Sequence, residues 1–167
     1  MKKIILATCI ASLLVGLASC ETYDDLFPEY CHKVLNIKDG GEREVSLNTN
    51  DKETEFVFSV MKTGSEKKSL ATGLVSPMAE SEFKEYTDKY NILNSYLSDK
   101  YYIISDNTLS FSENESYKFV KVVFKTDEIN SLYKESGKTY ALPLKLTSND
   151  ANVNDSLLVI KLDFVSQ

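Results

Sequence analysis

The sequence predicts an all-β fold, an antiparallel β-sandwich of about seven strands with one short amphipathic helix. Short apolar segments recur roughly every ten residues and are separated by polar turn residues, as is typical of sandwiches. All ten tyrosines and all eight phenylalanines lie beyond residue 19, and aromatic and β-branched residues favour strands. Only one stretch has helical spacing, which argues against a regular alternation of strands and helices.

The first strands are predicted before residue 62. Residues 30–37 alternate loosely between apolar and polar side chains, residues 38–41 contain a turn signal, and residues 44–47 are predicted to complete a hairpin. Residues 56–61 are a short apolar run with a period of two, so we expect a central strand there.

One amphipathic helix is predicted over residues 79–91. Its aromatic residues recur at three- and four-residue steps, and they are Phe83, Tyr86 and Tyr90. Pro77 lies just upstream, and Ser76 or Ser81 is the expected N-cap. We interpret the aromatic stripe as the face that packs on a sheet.

Five further strands are predicted after the helix. They cover residues 101–104, 108–111, 117–124, 140–147 and 157–164. Residues 127–137 are predicted as a break and residues 148–156 as a polar loop. Pro143 donates no backbone hydrogen bond, so it is expected at a sheet edge or a bulge.

The N-terminal segment predicts a lipoprotein signal peptide. Lys2 and Lys3 give a positive start, and the apolar run 4–17 is shorter than the about 20 residues that span a bilayer. The sequence Leu-Ala-Ser-Cys ending at Cys20 resembles the lipobox of bacterial lipoproteins, which implies cleavage after residues 1–19 and acylation of the Cys20 thiol. An ordinary secretory signal followed by a chance cysteine is the alternative.

The segment after Cys20 is expected to be a tether. Glu21, Asp24 and Asp25 resemble the short acidic signals that direct lipoproteins of the Bacteroidota to the outer face of the outer membrane. Residues 20–29 are therefore predicted as an acidic tether and residues 30–167 as the folded domain. The expected location is the cell surface, with a lipid anchor in the outer membrane.

The net charge argues against a nucleic-acid partner, and the cysteine count argues against an internal disulfide. The net charge is −6, and it becomes −8 when the leader with its two lysines is removed, so the chain has no electrostatic footprint for nucleic acid. If Cys9 leaves with the leader and Cys20 carries lipid, Cys31 has no partner for an internal disulfide. We expect Cys31 to be a small buried hydrophobe, with a reactive thiol as the alternative.

Several stretches in a fixed order carry a family resemblance. They are Tyr90-Asn91, Tyr-Tyr-Ile-Ile at 101–104, Thr-Leu-Ser-Phe at 108–111 and Tyr-Ala-Leu-Pro-Leu-Lys-Leu-Thr-Ser at 140–148. Together they resemble the immunoglobulin-like domain of unknown function at the N-terminus of Bacteroidota surface lipoproteins from polysaccharide-utilisation loci. The same module precedes the catalytic domain of some family 18 endo-N-acetylglucosaminidases. The resemblance covers roughly residues 34–164 and implies an immunoglobulin-like sandwich.

The sequence departs from the family in two places. Residues 97–100 read Leu-Ser-Asp-Lys where the family usually has Leu-Pro, and Glu113-Asn114-Glu115 replaces a common turn glycine.

No catalytic residue, metal site or cofactor is predicted. His32 is the one histidine, and the acidic residues cluster in turns and on the polar helix face, so no nucleophile and base or carboxylate pair is nominated. Residues 150–155 imitate the start of a calcium loop, but the turn glycine is missing and Lys161 occupies the position of the closing glutamate. We therefore expect a plain loop.

Four tyrosines are the candidate glycan-binding residues. Tyr101 and Tyr102 are neighbours in a predicted strand, so one ring should point away from the core. Tyr96 and Tyr133 lie in predicted loops. The alternative is that these rings belong to an ordinary sandwich surface.

One candidate modification site is Ser156. The tripeptide Asp155-Ser156-Leu157 resembles the site at which Bacteroidota attach O-glycans to exported proteins.

We therefore expect a non-catalytic, surface-anchored lipoprotein that serves as an accessory or glycan-binding module of a polysaccharide-utilisation system. Its expected partners are the membrane, through the lipid, and glycans or outer-membrane glycan-uptake proteins. The alternative is a fimbrial subunit or adhesin that polymerises by strand exchange after cleavage at Arg43, which would leave a fragment beginning at Glu44. A hydrolase is a third hypothesis, for which the sequence nominates no acid pair.

Overall fold

The structure, a computed structural model, describes residues 32–165. Within this range the chain forms eleven β-strands, two α-helices and one 3₁₀ turn, Asp99–Tyr101. The helices are α1 (Glu80–Tyr90) and α2 (Thr126–Ser136). The strands are β1 (Val34–Ile37), β2 (Gly41–Asn48), β3 (Thr54–Thr63), β4 (Ala71–Pro77), β5 (Ser95–Tyr96), β6 (Tyr102–Ser105), β7 (Thr108–Phe111), β8 (Tyr117–Phe124), β9 (Tyr140–Thr147), β10 (Asn152–Asn154) and β11 (Leu157–Val165).

The strands form two sheets that pack face to face. Sheet I has the order β10-β1-β3-β8-β6, and sheet II has the order β2-β11-β9-β4-β7, with β5 also paired to β9. Most neighbours are antiparallel, whereas β1 is parallel to β10, β2 is parallel to β11 and β5 is parallel to β9. The predicted all-β sandwich is confirmed. β4, β5 and β10 lie where no strand was predicted, and they bring the eight predicted strand segments to eleven strands.

Period-two alternation places the core between the sheets. In β3 and β8, Phe58 pairs with Val120 and Phe56 pairs with Val122, and these side chains face sheet II. The matching residues of sheet II are the buried leucines of β9 and the buried Leu158, Ile160 and Leu162 of β11.

The predicted N-terminal hairpin is wrong, because β1 and β2 belong to different sheets. β1 pairs with β3, and β2 pairs with β11. Gly40 and Gly41 lie where the chain crosses from sheet I to sheet II. Gly41 has φ of 89°, and a Cβ on Gly40 would lie 3.0 Å from the Leu157 carbonyl oxygen. Glycine tolerates both the positive φ and the close approach, and the chain passes from sheet I to sheet II at this turn.

Helix α1 agrees with the prediction to within one residue at each end. Its N-cap is Ala79, which makes no side-chain cap, so the expected serine cap is wrong. Asn91 ends the helix in the left-handed conformation and donates its N–H to the Thr87 carbonyl. The buried ring of Phe83 packs against sheet II, on Ala141 and Val159.

Helix α2 occupies the segment that the sequence analysis predicted as a break. Ile129 is fully buried in the main core, and Thr126 and Asn130 are buried beside it. Gly137 ends the helix with φ of 66° and donates its N–H to the Tyr133 carbonyl. The sandwich therefore carries two helices.

Pro143 lies inside the central strand β9, not at an edge or a bulge. It pairs with Val159 of β11, and on its other side its carbonyl accepts the Met78 N–H at 2.9 Å. Pairing of β9 with β4 ends at Leu144, and pairing with β5 reaches only Ala141. The N–H and C=O of a strand residue face the same neighbour, so the missing amide faces the gap between β4 and β5.

The described chain enters the sandwich at one end, and its last strand finishes at the other. Val34 pairs with Thr63, at the end of β3. Val165 pairs with Asn48, and the loop after Asn48 leads to Thr54, at the start of β3. The ten residues of β3 span roughly 30 Å, which separates the entry end from the far end.

Candidate functional site

Two of the four candidate tyrosines are buried. Tyr101 is 9% exposed and Tyr102 is 7% exposed. Tyr101 ends the 3₁₀ turn and Tyr102 begins β6 opposite the buried Phe124, so the two residues do not alternate as strand neighbours would. The expectation that one of these rings points outward is wrong, and neither ring offers a face to a ligand.

The Tyr102 hydroxyl is buried and makes no hydrogen bond with the residues that the structure describes. Burial raises the pKa of this phenol, and the neighbouring Tyr96 raises it further. An unpaired buried hydroxyl costs free energy that an apolar group of the same shape would not.

Tyr102→Phe is expected to raise the free energy of unfolding by about 1 kcal/mol, because it removes the unpaired hydroxyl and keeps the ring. Urea denaturation followed by circular dichroism measures this change. Above pH of about 10 the unfolded tyrosine ionises while the folded one keeps its proton, so the wild type should lose stability that the variant keeps.

The control for this substitution is Tyr140→Phe. The Tyr140 hydroxyl donates to Ser136 Oγ at 3.0 Å, so its removal should leave stability unchanged or lower it slightly. A loss of stability in Tyr102→Phe as large as that in Tyr140→Phe would show that the Tyr102 hydroxyl has a partner.

Tyr133 lies on helix α2 instead of in a loop. Its side chain is 36% exposed, and its ring packs against Phe164 with centroids 4.9 Å apart. The ring belongs to the far end of the sandwich, and it shares no site with Tyr96.

Tyr96 lines a hollow beside helix α1, which we call the α1 hollow. Its volume is about 460 Å³. Its lining residues are Glu80, Ser81, Phe83, Lys84, Thr87, Asn94, Ser95 and Tyr96.

The floor of the α1 hollow is the half-buried Tyr96 ring, and its rim is polar; Phe83, which is 2% exposed, packs behind this ring. The rings of Phe83 and Tyr96 lie 6.0 Å apart at an interplanar angle of 56°, and the Tyr96 hydroxyl donates to the Met78 carbonyl at 3.1 Å. Burial raises the pKa of Tyr96, so the phenol stays neutral at physiological pH. The rim offers amide, hydroxyl, carboxylate and ammonium groups from Asn94 and the exposed face of α1.

A larger, more polar cleft of about 740 Å³ lies at the entry end. It is lined by His32, Lys33, Glu66 and the segment from Ser148 to Asn152. His32 Nδ1 lies 3.5 Å from the Glu66 carboxylate. Lys33 Nζ donates to the Leu70 carbonyl at 3.0 Å and lies 3.7 Å from Asp150.

Asp150 links the two chain segments that meet at this cleft. Its Oδ1 accepts hydrogen bonds from the Thr72 amide and the Thr72 hydroxyl, each at 3.0 Å. Partial burial would raise the pKa of this carboxyl, but the hydrogen bonds from Thr72 and Ser148 hold it below its usual value. Between residues 32 and 165 no cluster of three or more His, Cys, Asp or Glu side chains could hold a metal ion. The role of Asp150 is to join the loop to β4.

Ser156 lies in the turn between β10 and β11. The residue is half-buried, and its carbonyl accepts the Leu146 N–H at 2.7 Å. The preceding Asp155 has φ of 44°. O-glycosylation of Ser156 stays a prediction.

The sequence analysis missed a group of exposed apolar side chains on the outer face of sheet I. Phe119 is 66% exposed and Tyr117 is 51% exposed, although both lie in β8, an interior strand of sheet I. The signal was present in the sequence, because Tyr117 and Phe119 alternate with the buried Val120, Val122 and Phe124 of the same strand.

Arg43, the proposed cleavage point of the fimbrial alternative, lies in β2 at the edge of sheet II. Its Nε donates to the Asp39 carbonyl at 2.9 Å, and its guanidinium lies 3.2 Å from the Asp39 carboxylate.

The signal-peptide, lipidation and tether predictions fall on residues 1–31. Cys20 and Cys31 therefore lie outside the described residues. From residue 32 to residue 165, no helix has the length and apolar character needed to cross a membrane.

Several solved structures with the same fold come from Bacteroides. A candidate carbohydrate-binding protein of Bacteroides ovatus has a TM-score of 0.64 at 18% identity, over 77% of this chain and 36% of that one. An auxiliary nutrient-binding protein of Bacteroides thetaiotaomicron has a TM-score of 0.53 at 12% identity, over 77% of this chain and 45% of that one.

EndoBT-3987 of Bacteroides thetaiotaomicron, solved with a Man5GlcNAc product, has a TM-score of 0.54 at 12% identity. That match covers 78% of this chain and 30% of the other. This chain therefore spans less than half the length of each of these three proteins, and at these identities the likeness shows the fold alone.

Among curated proteins no sequence matches this chain. The model of a family described as "-like, N-terminal domain" matches residues 28–153. Because this match covers most of the chain, the protein belongs to that family of N-terminal domains, in agreement with the resemblance of its motifs to the immunoglobulin-like domain of Bacteroidota proteins.

Proposed function

We propose that this chain is a lipid-anchored accessory module that binds glycan in the α1 hollow and has no catalytic activity of its own. The observation that carries the proposal is the aromatic floor formed by the half-buried Tyr96 ring, which the buried Phe83 supports, under a rim of hydrogen-bonding groups. A sugar ring has apolar C–H faces and hydroxyl edges, so it matches such a floor and rim.

The comparisons support the carbohydrate class. Two of the proteins with this fold are described as binding carbohydrate or nutrient, and a third was solved with a Man5GlcNAc product. The absence of a nominated nucleophile and base in the sequence favours binding over hydrolysis. Glycan-uptake proteins of the outer membrane are the expected protein partners.

The position of the hollow suits a tethered protein. Twelve residues separate Cys20 from His32, so a lipid on Cys20 would hold the entry end within roughly 40 Å of the membrane. Tyr96 pairs with Ala141, at the start of β9, whereas the end of β9 leads to the entry-end cleft. The hollow therefore lies in the half of the sandwich that faces away from the tether.

Tyr96→Ala is expected to weaken glycan binding at least tenfold, because it removes the ring that forms the aromatic floor. Isothermal titration of the mature chain against oligosaccharides from host and plant glycans measures the affinity. Tyr96→Phe keeps the ring and should bind nearly as the wild type does.

Tyr133→Ala is the matched control, since it removes a partly exposed tyrosine elsewhere on the domain. Equal weakening by Tyr96→Ala and Tyr133→Ala would speak against the hollow. A wild-type chain that binds no member of the panel would leave only a scaffold role.

The anchor has its own test. The native protein should begin at Cys20 with an acylated thiol, and mass spectrometry of its N-terminal peptide reads this directly. An unmodified Cys20 would contradict the tether.

A fimbrial subunit is the second candidate, and one observation favours it. β1 lies between β3 and β10, and it precedes Arg43, so cleavage after Arg43 would free β1 from the middle of sheet I. The gap would expose core residues to a donor strand from another copy. A fragment that begins at Glu44, together with SDS-resistant ladders, would favour this candidate over the first.

A further inference from the structure

We infer that the outer face of sheet I is a second carbohydrate-binding surface, which takes an extended neutral chain lying along β8. The inference rests on the proposed function for its ligand class, and its site is separate from the α1 hollow. We call this surface the aromatic face and define it by Val57, Ile103, Tyr117 and Phe119.

The four side chains lie on three adjacent strands. They are 53%, 53%, 51% and 66% exposed in that order. Phe119 pairs with Ser59 of β3, and Val57 pairs with Lys121 of β8. On the other side Ile103 pairs with Val123, so the apolar strip continues from β8 onto β6.

Neither helix covers this surface. α1 packs on sheet II through Phe83, and α2 contributes Ile129 to the core and packs Tyr133 on Phe164 of β11. Large apolar side chains on a sheet face that no helix of residues 32–165 covers are the kind of patch that marks an interaction site.

The size of the face selects the kind of occupant. From Tyr117 to Val123 the strip is about 20 Å long, and three strands make it roughly 10 Å wide between the outer strand axes. The resulting area of a few hundred Å² falls short of the about 800 Å² per partner in a stable protein interface. A narrow, extended ligand fits these dimensions better than a folded partner.

The chemistry of the face fits a neutral polyhydroxy chain. Tyr117 and Phe119 point to the same side about 7 Å apart, so consecutive sugar rings can each meet an aromatic ring. Ser59 lies beside them, and the Lys121 ammonium is paired with the Glu55 carboxylate at 3.0 Å. Because that ion pair is internally neutral, the face favours hydroxyl groups over a charged ligand.

Titration with linear oligosaccharides of increasing length tests the inference. The probes are the disaccharide, tetrasaccharide and hexasaccharide of the cello-, xylo- and manno- series, added to the mature chain. Affinity for one series should rise from disaccharide to hexasaccharide. Phe119→Ala and Tyr117→Ala should each remove at least tenfold of the hexasaccharide affinity.

The variants separate this inference from the proposed function. Both substitutions change exposed side chains, and an unchanged thermal midpoint confirms that the variants fold. If Tyr96→Ala weakens binding while Phe119→Ala and Tyr117→Ala bind every length as the wild type does, the aromatic face is not a glycan site and the hollow stands. If the wild type binds none of the probes, both proposals fail.

A last outcome concerns a protein partner. Concentration-dependent dimerisation of the wild type that Phe119→Ala abolishes would assign the face to a second copy of this chain. That result would overturn the glycan assignment.

Discussion

Leu35→Ala is expected to lower the free energy of unfolding by about 3 kcal/mol, within the range seen when a buried leucine is truncated. Leu35 is fully buried in the four-residue strand β1. Its side chain reaches sheet II, because a Cβ added to Gly73 of β4 would lie 3.0 Å from Leu35 Cδ1. The truncation would therefore leave a cavity between the two sheets.

Urea denaturation followed by circular dichroism measures this loss. Leu93→Ala is the matched control, since Leu93 is 88% exposed and its truncation should change stability by less than about 0.5 kcal/mol. Similar losses in the two variants would show that β1 is not part of the core.

Lys62→Met is expected to lower the free energy of unfolding by about 2 kcal/mol. Lys62 is 2% exposed and lies near the entry end of β3. Its ammonium donates to the Ser69 carbonyl at 2.7 Å and to the Ser112 carbonyl at 2.6 Å. Burial lowers the pKa of this ammonium, which the nearby Glu115 partly opposes. Methionine fills a similar volume but leaves the two carbonyls without their donor.

The matched control is Lys121→Met, on the exposed side of sheet I. Lys121 pairs with Glu55 at the surface, and such pairs contribute about 0 to 1 kcal/mol. Chemical denaturation should therefore separate the two variants clearly. A Lys62→Met protein as stable as the wild type would mean that water replaces the ammonium at both carbonyls.

Period and burial explain which parts of the fold could be predicted from the sequence. β3 and β8 alternate strictly, and α1 repeats its aromatic residues at helical spacing, so local pattern and tertiary packing agree. The hairpin failed because local turn chemistry at Gly40 does not reveal which sheet receives the next strand. That choice depends on β11, more than a hundred residues later.

The sequence contained a signal for helix α2. Ile129, Leu132 and Tyr133 have spacings of three and four, acidic residues open the segment, and Gly137 closes it. The apolar stripe is short, so polar composition suggested a break. Burial of Ile129 in the core stabilises the helix, and that contact is tertiary.

The candidate site was only partly predictable for the same reason. Tyr96 was selected as a loop aromatic, and the structure supplies its buried packing partner Phe83 from a different element. The prediction that one of the Tyr101 and Tyr102 rings points outward failed, because a 3₁₀ turn changes the direction of the side chains before β6 begins. Phe119 was not selected because the sequence does not show which face of β8 lacks a covering helix.

The most direct test of the glycan-binding proposal is an NMR titration of the isotope-labelled mature chain with the oligosaccharide that binds most tightly. The account predicts saturable shifts of the Phe83, Asn94 and Tyr96 signals, which Tyr96→Ala abolishes. Shifts confined to residues of the entry-end cleft, such as Glu66 and Asp150, would contradict it.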